Sequence, residues 1–293
     1  MAVSTPPATE LHRRLDVWFA SARRALPWRE DPAPWRVMVS EFMLQQTPVA
    51  RVLPVFEQWL RRWPTPADLA REPSGEAVRA WGRLGYPRRA LRLHAAAVEI
   101  TERHGGRVPD TYEELCALPG VGDYTAAAIA SFAFGRRVVV LDTNVRRVFA
   151  RAVGGVQHPS PSVTRAERDM ATALLPESEA ATWAAATMEL GALVCTARAP
   201  RCGDCPIADL CRWRAAGHPE HDGPPRRGQA WNGTDRQCRG RLMAVVRDAH
   251  HPVEKADLDR VWSDAAQRER CVDSLLDDGL LDLTEDGRFT LPR

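Results

Sequence analysis

Two carboxylic acids and four cysteines are the residues best suited to chemistry. Glu41 stands in Val39-Ser40-Glu41-Phe42-Met43-Leu44-Gln45-Gln46-Thr47, an acidic group in an apolar helical run that ends on paired amides. Burial raises a carboxyl pKa, which suits a general acid that must hold its proton near neutral pH. Asp142 is placed differently, in Leu141-Asp142-Thr143-Asn144-Val145-Arg146-Arg147-Val148, at what the pattern predicts to be a helix start. Backbone N–H groups and the helix dipole there keep a carboxylate ionised. Each residue also has a plainer reading, an ion pair for Glu41 and a helix cap for Asp142.

Cys195, Cys202, Cys205 and Cys211 crowd into one short stretch, separated by six, two and five residues. Four thiolates in a single loop suit an iron–sulfur cluster, whereas structural zinc more often uses two separated pairs; zinc and inert thiols are the other readings. A cluster there would cross-link the loop and present the flanking Arg198 and Arg201 to phosphates. The remaining cysteines, Cys116, Cys238 and Cys271, read as ordinary free thiols of a reducing compartment.

Leu118-Pro119-Gly120-Val121-Gly122 joins a helix over Tyr112 to Ala117 to another that begins near Tyr124. Glycines at 120 and 122 allow a tight turn and leave amide N–H groups at a helix N-terminus, where phosphate is favoured without side-chain charge. The same pattern also serves as a plain connector.

These residues need a scaffold. A chain of 293 residues with 44% hydrophobic composition can bury a full core and suggests two domains, or one large and one small. No run is apolar enough to span a membrane, and the first ten residues lack a signal peptide's pattern, so a cytoplasmic protein is expected. A formal net charge of +2 requires any nucleic-acid contact to come from a local surface. From Glu10 to about Trp213 apolar residues recur at three and four, as in Leu11, Leu15, Trp18 and Phe19, which predicts an all-α body punctuated by Pro and Gly. Arg136 to Leu141 has strand propensity but is short and isolated, and reads as an extended buried connector. Residues 217–233 lack periodicity and form a linker. Beyond them three helices, near Arg236 to Ala249, Glu254 to Trp262 and Asp264 to Asp278, precede a hairpin over Leu280 to Leu291. That order suggests a small winged-helix-like module over 234–293.

In combination these motifs resemble the helix-hairpin-helix DNA glycosylases with an iron–sulfur cluster, specifically the MutY-type adenine DNA glycosylases. Ser40 to Thr47, Leu84-Gly85-Tyr86, Leu118 to Gly122, Leu141 to Val148 and the four cysteines fall in the family's order, over about Leu26 to Trp213. The resemblance implies a mainly α, two-lobed fold, with a cluster domain from 1–26 and 137–216 and a six-helix domain carrying the hairpin over 27–136. It also implies a 4Fe–4S cluster on the four cysteines, no small-molecule cofactor, and a monomer acting on the nucleoid. The implied substrate is double-stranded DNA in which adenine is mispaired with 8-oxoguanine or guanine. Adenine flips into a pocket, Glu41 protonates the leaving base and Asp142 stabilises the oxocarbenium-like sugar. Tyr124 and Asn144 would order the site. Gln46 and Tyr86 would wedge into the duplex, beside Gln45, with Thr47 and Leu84 near the opposing base.

Lys255 is the only lysine in the chain. Relatives that also cut the strand use a Schiff-base lysine where this chain has Tyr124, so a monofunctional enzyme is expected. Two departures from the family stand out. Pro87 replaces a common second tyrosine, which stiffens the turn. Residues 234–293 are too short and too helical for the usual MutT-like domain, and are expected either to lean on DNA or a repair partner or to be a packing cap. A mismatch thymine or uracil glycosylase of the same superfamily and a non-catalytic DNA-binding protein are the competing readings.

Overall fold

The computed structural model describes residues 6–221, 223 and 231–293, so residues 222 and 224–230 of the expected linker lie outside the described residues. The chain is mainly helical and divides into two compact units.

In chain order the helices are α1 (Ala8–Ala22), α2 (Pro27–Glu30), α3 (Pro34–Leu44), α4 (Val49–Arg62), α5 (Pro66–Ala70), α6 (Ser74–Trp81), α7 (Arg88–Arg103) and α8 (Tyr112–Ala117). They continue as α9 (Asp123–Phe134), α10 (Thr143–Ala152), α11 (Arg165–Ala173), α12 (Ala180–Leu193) and α13 (Arg212–Ala215). Last come α14 (Asp235–Asp248), α15 (Lys255–Asp259), α16 (Ala265–Asp277) and the strands β1 (Asp282–Leu283) and β2 (Phe289–Thr290). One unit holds α1, α2 and α9 to α13; the other holds α3 to α8 together with α14 to β2.

The first unit is built on a helical stripe. Leu11, Leu15 and Phe19 of α1 join Val145, Val148 and Phe149 of α10 and Trp183, Ala186 and Leu190 of α12 in one buried cluster. Glu189, with a fully buried side chain, ties α2 and the end of α1 to α12 by accepting from Arg24 at 2.7 Å and Arg29 at 2.9 Å. Burial alone would raise its pKa, but the two guanidiniums pull it down to about 2. The stretch from Arg136 to Leu141 is a connector without strand pairing; Val140 is buried, and Val139 and Leu141 pack against the core.

The second unit packs around α3, in which every residue from Val37 to Met43 is buried. Trp59, Trp63 and Trp81 meet edge to face, with centroids 4.6 and 5.7 Å apart. The three helices expected after the linker are present. Thr234 caps α14, Asp264 caps α16, and β1 pairs antiparallel with β2.

Candidate active site and cluster loop

Asp142 heads α10 as the predicted cap. Its Oδ1 accepts from the backbone N–H of Asn144 at 2.9 Å and of Val145 at 2.6 Å, and its Oδ2 accepts from Asn144 Nδ2 at 2.8 Å. Burial raises the pKa of Asp142, and the three hydrogen bonds and the nearby Arg147 oppose that rise.

Asn144 is itself oriented by a residue that carried no role in the sequence reading. Arg147 donates to Asn144 Oδ1 at 2.7 Å, which leaves the amide nitrogen of Asn144 facing Asp142. The same guanidinium donates to Gly191 O at 2.6 Å and to Cys195 O at 2.7 Å. Thus a continuous hydrogen-bonded path joins the backbone of the first cluster cysteine to the carboxylate of Asp142. Tyr124, half-buried near the start of α9, belongs to the same unit.

Glu41 lies in the other unit, 5% exposed on the buried helix α3. The residues after it form a second cluster, organised by Arg89, another residue without a role in the sequence reading. Arg89 is 5% exposed. Its guanidinium donates to the carbonyls of Phe42 at 2.9 Å, Met43 at 3.1 Å and Gln45 at 2.6 Å, which closes the C-terminal end of α3. It also donates to Thr47 Oγ1 at 2.9 Å and Gly85 O at 3.0 Å, so one buried cation joins Gln45-Gln46-Thr47 to Leu84-Gly85-Tyr86. Burial lowers the Arg89 pKa to about 10, which leaves it charged at neutral pH. Gln46 and Tyr86 both take left-handed backbone conformations, φ 54° and 48°. Non-glycine residues held this way cost on the order of 1–3 kcal/mol each, and such strain tends to gather at functional sites. Tyr86 is 49% exposed.

In the hairpin the two glycines play different parts. Gly120 has φ 78°, and a Cβ there would stand 2.6 Å from Arg92 Cβ and 3.1 Å from Phe42, so both conformation and space require glycine. Gly122 is extended, at φ −104°, and caps α9. It is not needed for the turn; a Cβ there would meet nothing within 4 Å, so glycine leaves the approach to the helix N-terminus clear. Val121 is buried beneath the loop, its N–H bonded to Leu118 O at 3.1 Å.

The four cysteines line one pocket with Arg151 and Trp213. Four cysteine sulfurs around one pocket are the donor set that an iron–sulfur cluster takes, and Cys195, Cys202, Cys205 and Cys211 would hold it. Arg151, 1% exposed, points Nη1 at Cys195 Sγ from 3.4 Å and stacks over Trp213, giving the thiolates a buried positive neighbour. Burial pushes the Cys205 thiol up to about 12, so binding a cluster would require it to give up its proton. Arg198 is exposed, as a phosphate contact requires. Arg201 is partly engaged, donating to Leu193 O at 2.8 Å and pairing with Asp204 at 3.6 Å.

A glycine-turned hairpin, a capped aspartate and a cysteine-lined loop on helical units define the class of base-excision DNA glycosylases with an iron–sulfur cluster. Residues 39–172 match the HhH-GPD superfamily of base excision DNA repair proteins, and residues 195–211 match the iron–sulfur binding domain of endonuclease III. The chain is 57% identical over 279 residues to an adenine DNA glycosylase of Mycobacterium tuberculosis, covering 94% of this chain and 91% of that protein. It is 54% identical over 277 residues to that of Mycolicibacterium smegmatis, covering 94% and 93%. A solved thermostable thymine-DNA glycosylase superposes with TM-score 0.65 at 25% identity, over 71% of this chain and 97% of that one. The chain therefore belongs to the adenine DNA glycosylase family of the helix-hairpin-helix superfamily, and a 4Fe–4S cluster is its cofactor.

Proposed function

We propose that the protein is a monofunctional glycosylase that hydrolyses the N-glycosidic bond of adenine mispaired with 8-oxoguanine or guanine in double-stranded DNA. What carries this reading is the pair of carboxyl groups in contrasting surroundings, one buried in the apolar helix α3 and one heading α10 under three hydrogen bonds. Glu41 gives a proton to the departing adenine as the C1′–N bond breaks. Asp142, whose oxygens accept from the N–H groups of Asn144 and Val145 and from the Asn144 amide, keeps its negative charge for the oxocarbenium-like sugar. Water then adds to C1′ and loses a proton, leaving an abasic site and free base. Tyr124 and Asn144 order these groups, and Gln46 and Tyr86 fill the duplex where adenine leaves. The amides after Gly120 and the exposed Arg198 grip phosphates. The cluster fastens the loop that carries Cys195, whose carbonyl holds Arg147. The protein acts as a monomer on chromosomal DNA.

Tyr124 in place of a hairpin lysine makes an enzyme–DNA imine unavailable to the catalytic region. Incubation with an A:8-oxoguanine duplex is expected to release free adenine and leave a strand that breaks only on alkali treatment, with no borohydride-trapped complex. A trapped adduct mapping before Lys255 would contradict the monofunctional reading.

A further inference from the structure

The C-terminal elements do not stand apart from the site-bearing helices; they close on the segment that presents Tyr86. The carbonyls of the turn between α6 and α7 are all engaged. Arg51 donates to Arg83 O, Thr47 Oγ1 to Leu84 O at 3.3 Å, Trp81 Nε1 to Gly85 O at 3.0 Å, the N–H of Arg89 to Tyr86 O at 3.0 Å, and the N–H of Ala90 to Pro87 O at 2.9 Å. The remaining carbonyl, that of Gly82, accepts from Arg247 Nη1 of α14 at 2.8 Å. Gly82 has φ 56°, so this bond fixes the residue at which the chain reverses out of α6.

Further contacts flank it on both sides. Arg79 of α6 donates to the carbonyls of Arg247 and of Ala249, the latter at 2.7 Å, and so caps the end of α14. Arg88, at the start of α7, pairs with Asp278 at 3.1 Å, and Asp278 also accepts from Arg239 at 2.5 Å. The N–H of Gly75 donates to Pro292 O at 2.8 Å, and a Cβ on Gly75 would lie 2.3 Å from that oxygen, so the last residues of the chain lie directly on α6.

Charge argues against a DNA-reading surface here. After Gly233 there are thirteen acidic residues against ten basic ones. Arg239, Lys255, Arg268, Arg270 and Arg288 are paired with carboxylates of the same segment. Such a surface has little to offer a phosphate backbone.

We infer that residues 234–293 act as a brace, with Arg247 as the positioning residue that holds the Gly82–Tyr86 turn so that Tyr86 meets the duplex in one orientation. The inference rests on the reading of Tyr86 as a wedge. A side chain that must enter a base stack gains from a rigid support, since misplacement by about 1 Å can cost a hundredfold in rate.

The test uses cluster-loaded full-length protein, a duplex carrying A:8-oxoguanine, and the same duplex with fluorescent 2-aminopurine beside the target adenine to report unstacking. Arg247→Met is expected to lower single-turnover base release and the unstacking signal together, by about tenfold to a hundredfold. Arg247→Lys should recover part of both, and the salt dependence of duplex affinity should be unchanged. Arg241→Gln with Arg260→Gln, which removes exposed charge from the module, is expected to leave rate and salt dependence as they are. Should Arg247→Met fold poorly, Asp278→Asn loosens the same turn from the α7 side and is expected to act in the same direction. A wild-type rate for a folded Arg247→Met or Asp278→Asn protein overturns the brace, as does a shallower salt slope for the Arg241/Arg260 variant. Tyr86→Ala separates the two readings. If it leaves unstacking intact, the wedge itself fails; if it abolishes unstacking while Arg247→Met does not, only the brace fails.

Discussion

Glu41→Gln is expected to lower single-turnover adenine release by about a hundredfold to ten-thousandfold, the range over which a positioned general acid acts. Glutamine preserves the shape of the side chain in a helix with every neighbour from Val37 to Met43 buried, so packing around α3 is retained. What is lost is the proton. Adenine then leaves without protonation, and only the transition state suffers, so duplex affinity should stay within about twofold. A purine analogue whose base departs more readily as an anion should narrow the gap between variant and wild type. The measurement is a quench series under enzyme excess with affinity determined on a non-cleavable duplex. A Glu41→Gln rate within about threefold of wild type would remove Glu41 from the acid's role.

Asp142→Asn is expected to cost about a hundredfold to a thousandfold in the same assay, the scale on which removal of one electrostatic stabiliser is felt. Asparagine remains a competent cap for α10, accepting from the N–H groups of Asn144 and Val145. Its amide nitrogen, however, would face that of Asn144, which Arg147 holds in place. The sign of the stability change follows from the raised pKa. Ionised Asp142 is disfavoured in the fold relative to the unfolded chain, so its charge opposes folding at neutral pH, and that opposition disappears as the pH falls below the ordinary carboxylate value of 3.8. Removing the charge thus offsets part of the clash with Asn144, and the variant should melt close to wild type while nearly inactive. Catalysis has the opposite dependence. It needs the anion, so the acidic limb of the wild-type pH–rate profile should titrate above 3.8 and be absent from the residual activity of Asp142→Asn. An acidic limb that persists in the variant contradicts the role given to Asp142.

How much of this was legible in the sequence depends on the range of each interaction. Asp142 as a cap followed from its place before Thr143-Asn144-Val145, because a cap bonds two and three residues on. The burial of Glu41 followed from its apolar neighbours, and the three C-terminal helices and hairpin followed from periodicity and the Glu-Asp-Gly turn. Arg89 and Arg147 were invisible as organisers. Their acceptors are chiefly backbone carbonyls, which no residue type advertises, and many lie more than forty positions away. In an arginine-rich chain nothing in the local pattern separates a buried clamp such as Arg89 from an exposed neighbour such as Arg88. The depth at which Asp142 is buried was hidden for a related reason, since local capping is written in the sequence and the burial that raises its pKa is not. Likewise Gly120 and Gly122 look alike as letters, and only the approach of Arg92 and Phe42 shows which one the turn requires.

The most direct measurement of the central claim is base release by the cluster-loaded protein, under enzyme excess, from four duplexes that differ only in the mispair: A:8-oxoguanine, A:G, T:G and U:G. Free adenine is expected from the first two and no thymine or uracil from the others, whereas thymine or uracil release at rates matching adenine, or no adenine from either mispair, would contradict adenine-specific excision.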